Sequence, residues 1–313
     1  MGRRVADGVR GAGRPAPFAL TARRDRRHLL VPSLTLLAQA VVSGLLAGGL
    51  YGLLALGLSL SWGLLRLVNL THFALALLGA YLTYQLGHAW HVPPVLAAAA
   101  IVPAFFALGM GLHVVFAYFR VTEFTSLLVT FGLTIILESM IQWFWTADFR
   151  RYETPYATAS TRLGAVFVPT LDLAACLTAT LLAFATWAWL RFTYVGKALR
   201  ASAEDPAMAA AFGVNHRVQA LLLSGVSAAY AAIAGTYIAL IATLAPSQIW
   251  AWVGVVFAVV IIGGLANPLG ALLAGLLIGV SESVTMAVVT PAWAPLVSFS
   301  VLIILLIARP GRA

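Results

Sequence analysis

Residues 34–72 read LTLLAQAVVSGLLAGGLYGLLALGLSLSWGLLRLVNLTH, and the order of apolar and polar residues in this stretch decides the fold. No charge falls between Leu34 and Leu56, a length that matches the roughly 20 apolar residues a helix needs to cross a hydrocarbon core. The apolar signal continues through Gly57 to Leu65 and stops at Arg66. It resumes after Asn69, Thr71 and His72 in a second span from about Phe73 to Leu86. Polar residues beside Gly57 and Gly63 at membrane depth predict a broken helix whose freed backbone lines a cavity. The alternative is that Arg66 and His72 snorkel to an interface. Gly44, Gly48, Gly49 and Gly52 are spaced to let a neighbouring helix approach closely.

The rest of the chain has the same character. Of 313 residues 62% are hydrophobic and only 9% charged, against about 25% charged in soluble domains. Apolar runs of span length recur and short alternating segments do not, so helices rather than a barrel are expected. The fold class expected is an all-α polytopic membrane protein with about eight or nine transmembrane helices, at least one of them broken. Further spans are predicted at about 94–118, 124–146, 170–190, 218–243, 249–265, 270–290 and 293–308. Residues 1–30 form a separate Arg-rich tail, read as disordered, and 31–313 a single transmembrane domain. The formal charge of +9 is no sign of nucleic-acid binding, because eight Arg against Asp7 and Asp25 put +6 of it in that tail. One cysteine, Cys176, excludes an intramolecular disulfide. Arg outnumbers Lys 18 to 1, which with abundant Ala suggests a GC-rich genome and a bacterial plasma membrane.

One long water-compatible segment interrupts the second half, residues 193–217. Asp205 is placed to cap a short helix, Pro206 suits its first position, and Gly213 suits a left-handed stop. Between them Met208 and Phe212 offer side chains for insertion into a partner's groove. Lys197, Arg200, Glu204, Asp205 and Arg217 keep the segment outside hydrocarbon. Four basic residues lie in 191–217, and Arg309 and Arg312 close the chain. Both regions are therefore placed in the cytoplasm. Counting back leaves the 147–168 loop outside. The Arg-rich tail then lies outside if residues 34–65 cross once and inside if they cross twice.

No catalytic constellation is present. The six His (28, 72, 88, 91, 113 and 216) lack metal-ligand spacing, and no Gly-rich loop carries a phosphate-binding Lys. The chain is expected to be no enzyme, to bind no metal or cofactor, and to leave ATP hydrolysis to other subunits. Glu138 lies well inside its span, where a carboxyl is costly unless it meets protein or water. It is read as a structural hydrogen bonder before a substrate ligand.

Three segments together resemble the branched-chain amino acid (Liv-type) permeases of bacterial ABC importers, over about residues 34–310. The first runs from Gly57-Leu58-Ser59-Leu60-Ser61-Trp62-Gly63 through Val68-Asn69-Leu70-Thr71-His72 to Gly79-Ala80-Tyr81. The second is Gly196-Lys197-Ala198-Leu199-Arg200-Ala201 with Ala203, Asp205, Gly213, Val214, Asn215 and Arg217. The third is Gly263-Gly264, Asn267, Gly270, Gly275, Gly279 and Glu282. Phe73 and Ala266 stand where the family usually has Gly, and a Phe at 73 would narrow a pathway lined by the first segment.

The resemblance implies an ATP-driven importer, with 193–217 as the coupling loop that docks on the ATPase. It implies a second, homologous permease subunit, two cytoplasmic ATPase subunits and an extracytoplasmic solute-binding protein. On that basis Trp62, Asn69, Thr71, His72, Phe73 and Glu138 are candidate pathway residues. Lys197, Arg200, Glu204, Asp205, Met208, Phe212 and Gly213 are candidates for ATPase coupling. The implied cargo is a small polar solute, a branched-chain or related amino acid before an amide, urea or an aromatic acid. The alternative is an ion-coupled secondary transporter or channel without an ATPase, which would draw on Glu138, Asp172 and Glu282.

Overall fold

In lipid a backbone must satisfy its own hydrogen bonds, so long apolar runs become helices whatever their neighbours. A computed structural model describes residues 34–156, 159–289 and 293–308. The Arg-rich tail and the basic C-terminal stop lie outside the described residues.

The elements in chain order are α1 (Leu34–Leu65), α2 (Thr71–Trp90), α3 (Pro94–Tyr118), α4 (Glu123–Trp145), β1 (Ser160–Leu163) and β2 (Val166–Pro169). They continue with α5 (Thr170–Phe192), α6 (Tyr194–Glu204), α7 (Pro206–Ala211), α8 (His216–Ile241), α9 (Gln248–Gly263), α10 (Pro268–Val288) and α11 (Ala294–Ala308). Six helices, α1, α3, α4, α5, α8 and α10, are long and apolar enough to cross a membrane. The chain is an all-α polytopic membrane protein in its membrane part, with one small addition that apolar periodicity did not signal. That addition is the antiparallel β1–β2 hairpin, paired from Ser160 with Pro169 to Leu163 with Val166.

Residues 34–65 form one continuous helix, which corrects the expectation of a break near Gly57 and Gly63. At 1.5 Å per residue α1 is about 48 Å long, more than a hydrocarbon core requires. Its glycines make room rather than kinks. A Cβ on Gly57 would lie 2.3 Å from His72 Cε1, and one on Gly63 would lie 2.2 Å from the Ala266 nitrogen. The chain breaks further on, at residues 66–70, where Arg66 takes a left-handed φ of 54°.

The core is built around α1 and α8, while α3, α4 and α5 turn large apolar side chains such as Phe124, Ile136 and Leu181 outward. The tightest seam is α1 against α10. A Cβ on Gly44 would meet Val280 Cα at 2.6 Å, one on Gly48 the Gly275 oxygen at 2.5 Å, and one on Gly279 the Gly44 oxygen at 2.3 Å. Without a hydrophobic drive between helices in lipid, backbone-to-backbone contact of this kind supplies the association. At the start of α1, Gln39 Nε2 donates to the Phe167 carbonyl and Phe167 N donates back to Gln39 Oε1, both at 2.9 Å. The hairpin is thereby fixed at that end. Arg150 and Leu244 exchange backbone hydrogen bonds of 3.0 and 2.7 Å between the loops after α4 and α8.

Gly48→Ala is expected to cost about 1–3 kcal/mol through overpacking, seen as a lower melting temperature in detergent. Gly132→Ala, whose added methyl meets nothing within 4 Å among the described residues, is expected to leave melting unchanged or raise it. Equal melting of Gly48→Ala and the unsubstituted chain would contradict the tight seam.

Candidate functional site

Backbone groups that leave a helix and are buried must find partners, and at residues 66–71 those partners come from α4. Val68 N donates to Ser126 Oγ and Leu70 N to Thr130 Oγ1, each at 3.1 Å. Thr71 Oγ1 donates to the Thr130 carbonyl at 3.2 Å. The Thr130 hydroxyl has one proton, within 2.7 Å of the Ser126 carbonyl and 3.1 Å of Val68's, so it both stitches and is stitched. Leu67 N reaches back to the Ser61 carbonyl at 3.4 Å and closes the end of α1. Neither Ser126 nor Thr130 stood out in the sequence, since a Ser or Thr four residues apart in a span usually bonds its own helix.

Thr71, His72 and Phe73 are completely buried. His72 Nε2 lies 3.0 Å from the Leu54 carbonyl. A carbonyl only accepts, so Nε2 carries the proton and Nδ1, which has no hydrogen-bond partner among the described residues, is the bare nitrogen. Phe73 does not project into open space. Its ring stacks on Phe257 at 6.2 Å and meets the His72 ring edge-on at 6.0 Å, while half-buried Trp62 tilts against Phe257 at 5.5 Å. Phe257 of α9 thus joins two of the candidate pathway residues, Trp62 and Phe73, and His72 is linked to it through Phe73. No charge or motif marked it beforehand. Glu138 stands apart from this group: it is half-buried on α4 and accepts from Trp250 Nε1 at 3.0 Å.

Beside the break lies a small, partly open pocket whose polar lining is Ser61, Asn69, His113, Ser224 and Ser227, with about 20 Å³ of space, roughly that of one water. Asn69 Oδ1 is buried and unpartnered there. Ser224 Oγ and His113 Nδ1 are 3.1 Å apart, and Ser227 Oγ donates to the Gly57 carbonyl at 2.8 Å. The spacing of Ser224 and Ser227, one helical turn apart on α8, was the available signal for this lining.

The third segment closes onto the first. Asn267 caps α10 by accepting from Gly270 N at 3.1 Å, and Ala266 N donates to the Ser59 carbonyl at 3.2 Å. Ala266 has φ 58°, a conformation glycine adopts more easily. Glu282 is buried, and its carboxyl accepts from Tyr51 OH at 3.0 Å and from Ser298 Oγ.

In residues 193–217, Thr193 caps α6 by accepting from Gly196 N at 3.1 Å, and Asp205 caps α7 by accepting from Ala207 N and Met208 N, both at 3.0 Å. Gly213 follows with φ 81°. The capping and stop are as expected, with Phe212 just past α7. One face of α6 is packed: Leu199 is buried with Leu60, Leu64, Leu190 and Leu223. Lys197, Arg200, Glu204 and Asp205 face solvent, as do Met208 (58% exposed) and Phe212 (79%). Arg66 joins this segment to the break through a 3.0 Å bond from Nη2 to the Ala203 carbonyl.

Fold and site together define a polytopic helical membrane protein with a stitched polar break and an exposed, capped helix pair. The chain belongs to the family described as the branched-chain amino acid transport system / permease component, whose model matches residues 40–306. That family is one of membrane permease subunits, not catalytic enzymes. The chain is 25% identical over 290 residues to LivH, the high-affinity branched-chain amino acid transport system permease protein, of Salmonella typhimurium. That match covers 87% of this chain and 93% of the relative, and LivH of Escherichia coli K12 gives the same figures. BraD of Pseudomonas aeruginosa, described in the same words, is 23% identical over 289 residues, covering 87% and 94%. No solved structure matches the chain.

Thr130→Val leaves the buried Leu70 N–H without an acceptor and is expected to cost about 1–3 kcal/mol, with faster hydrogen exchange at residues 68–72. Thr134→Val, which removes only a bond to its own helix, is expected to change little. Similar melting and exchange in the two variants would contradict the stitching role of Thr130.

Proposed function

We propose that this chain is the membrane-spanning permease subunit of an ATP-driven importer in a bacterial plasma membrane. It moves a branched-chain or related small amino acid delivered by an extracytoplasmic binding protein. Membership of the permease family and similarity to LivH and BraD over most of both chains support the cargo class. The observation that carries the mechanism is the asymmetry of residues 193–217. Leu199 anchors α6 to the end of α1, and Met208 and Phe212 stand in solvent on a helix capped at both ends. Two exposed apolar side chains on a rigid, charged-rimmed element fit a groove on a partner.

In this reading two cytoplasmic ATPase subunits grip α7, with Lys197, Arg200, Glu204 and Asp205 on the rim and Gly213 setting the exit of the chain. ATP is bound and hydrolysed by those partners. Closure of the ATPase pair moves α6 and α7 as a rigid body, and a second permease subunit completes the pathway. Trp62, Asn69, Thr71, His72 and Phe73 form the hinge side of that pathway, with Glu138 on its wall.

Nine crossings, α1 to α5 and α8 to α11, suit the pattern of end contacts. Gln39–Phe167 and Arg150–Leu244 lie at one end, Arg66–Ala203 and Ser59–Ala266 at the other. The basic residues of 191–217 orient the second end to the cytoplasm. An ion-coupled carrier is less well supported, because Glu138 and Glu282 are each engaged by protein donors.

Phe212→Asp combined with Asp205→Arg is expected to lower ATPase co-purification at least about tenfold, as for a central apolar anchor and its cap, with the chain still folded and destabilised by no more than about 0.5–2 kcal/mol, the cost of a lost helix cap. Undiminished association and uptake in the double variant would end the docking reading.

A further inference from the structure

Arg66 lies in the break, yet its side chain serves the coupling pair. The guanidinium donates from Nη2 to the Ala203 carbonyl at 3.0 Å. Ala203 is in the last turn of α6, where carbonyls lose their helical partners and the helix dipole favours a cation. Two residues further on, Asp205 begins the cap of α7. Two residues beyond Arg66 in its own chain, Val68 N is held by Ser126, and Asn69 lines the polar cavity. The Arg66 backbone sits at φ 54°, a conformation that side chains bearing a Cβ adopt uncommonly. The last turns of α1 also bury Leu60 and Leu64 against Leu199 of α6. An arginine that merely snorkelled into solvent would have no reason to reach the end of α6.

We propose that Arg66 is a positioning residue for coupling: its bond to the end of α6 makes the break at 66–70 follow α6 and α7 when these are moved. This rests on the docking reading given above and names the link between the docked helix and the pathway. The geometry supplies a rigid chain of contacts from α7 through its Asp205 cap to α6, then through Arg66 and the Leu199 cluster to the stitched break.

The test uses the full chain with its ATPase subunits and solute-binding protein in proteoliposomes. Arg66→Asn tolerates a left-handed backbone but is too short to reach Ala203, while Arg66→Lys keeps the charge and the reach. Arg66→Gly, also at ease at positive φ, repeats the test if Asn disturbs folding. In Arg66→Asn the ATPase subunits are expected to remain bound, with basal hydrolysis within about twofold. Solute moved per ATP is expected to fall about tenfold, within the range of site-to-site coupling, and Arg66→Lys to recover most of it. In the chain alone, hydrogen exchange at residues 200–208 is expected to quicken in Arg66→Asn and not in Arg66→Lys. A normal ratio of transport to hydrolysis in Arg66→Asn, or unaltered exchange at 200–208, overturns the proposal. Failure of the ATPases to bind the unsubstituted chain overturns the docking reading instead, and is recognisable because it precedes any change at Arg66.

Discussion

Backbone groups released from a helix and buried must be satisfied inside the protein, and that constraint organises this structure. When α1 ends at Leu65, the N–H groups of Val68 and Leu70 would be left without acceptors, at a cost of about 1–3 kcal/mol for a buried one. Ser126 and Thr130 accept them instead. Those two side chains lie one turn apart on α4, so the break fixes α4 against α2. The same break sets His72 where its ring fills the notch of Gly57 and its Nε2 can reach the Leu54 carbonyl. Phe73 is thereby delivered to Phe257.

The second consequence concerns the end of α1 that meets α6. Because α1 is continuous to Leu65 and packs there against Leu199 of α6, a displacement of the exposed α7 has a stiff route into the membrane. The α1–α10 glycine seam gives α1 a firm partner along its other face. Packed helices in backbone contact shift as units rather than bend. A polar break beside a rigid helix is therefore a place where a small movement of α6 and α7 would be felt.

Much of this was legible in the sequence. The span placed at 94–118 is α3, Pro94–Tyr118, and the short helix after Asp205 has the cap and the left-handed glycine that its residues called for. Charge and hydropathy report such features because each depends on local chemistry. What was not legible depends on tertiary partners. Gly57 and Gly63 read as helix breakers, yet they are contact surfaces for His72 and Ala266. Ser126, Thr130 and Phe257 matter only through what lies opposite them. The hairpin at 160–169 is held by Gln39, more than a hundred residues away in the chain. The burial of Phe73 against Phe257 likewise depends on a partner far away in the chain.

The most direct measurement of the central claim is uptake of labelled leucine into proteoliposomes holding this chain. Uptake is expected only when the ATPase subunits, ATP and the solute-binding protein are all present, and is expected to be indifferent to sodium or proton gradients. Gradient-driven uptake by the chain alone, without ATPase or ATP, would contradict it.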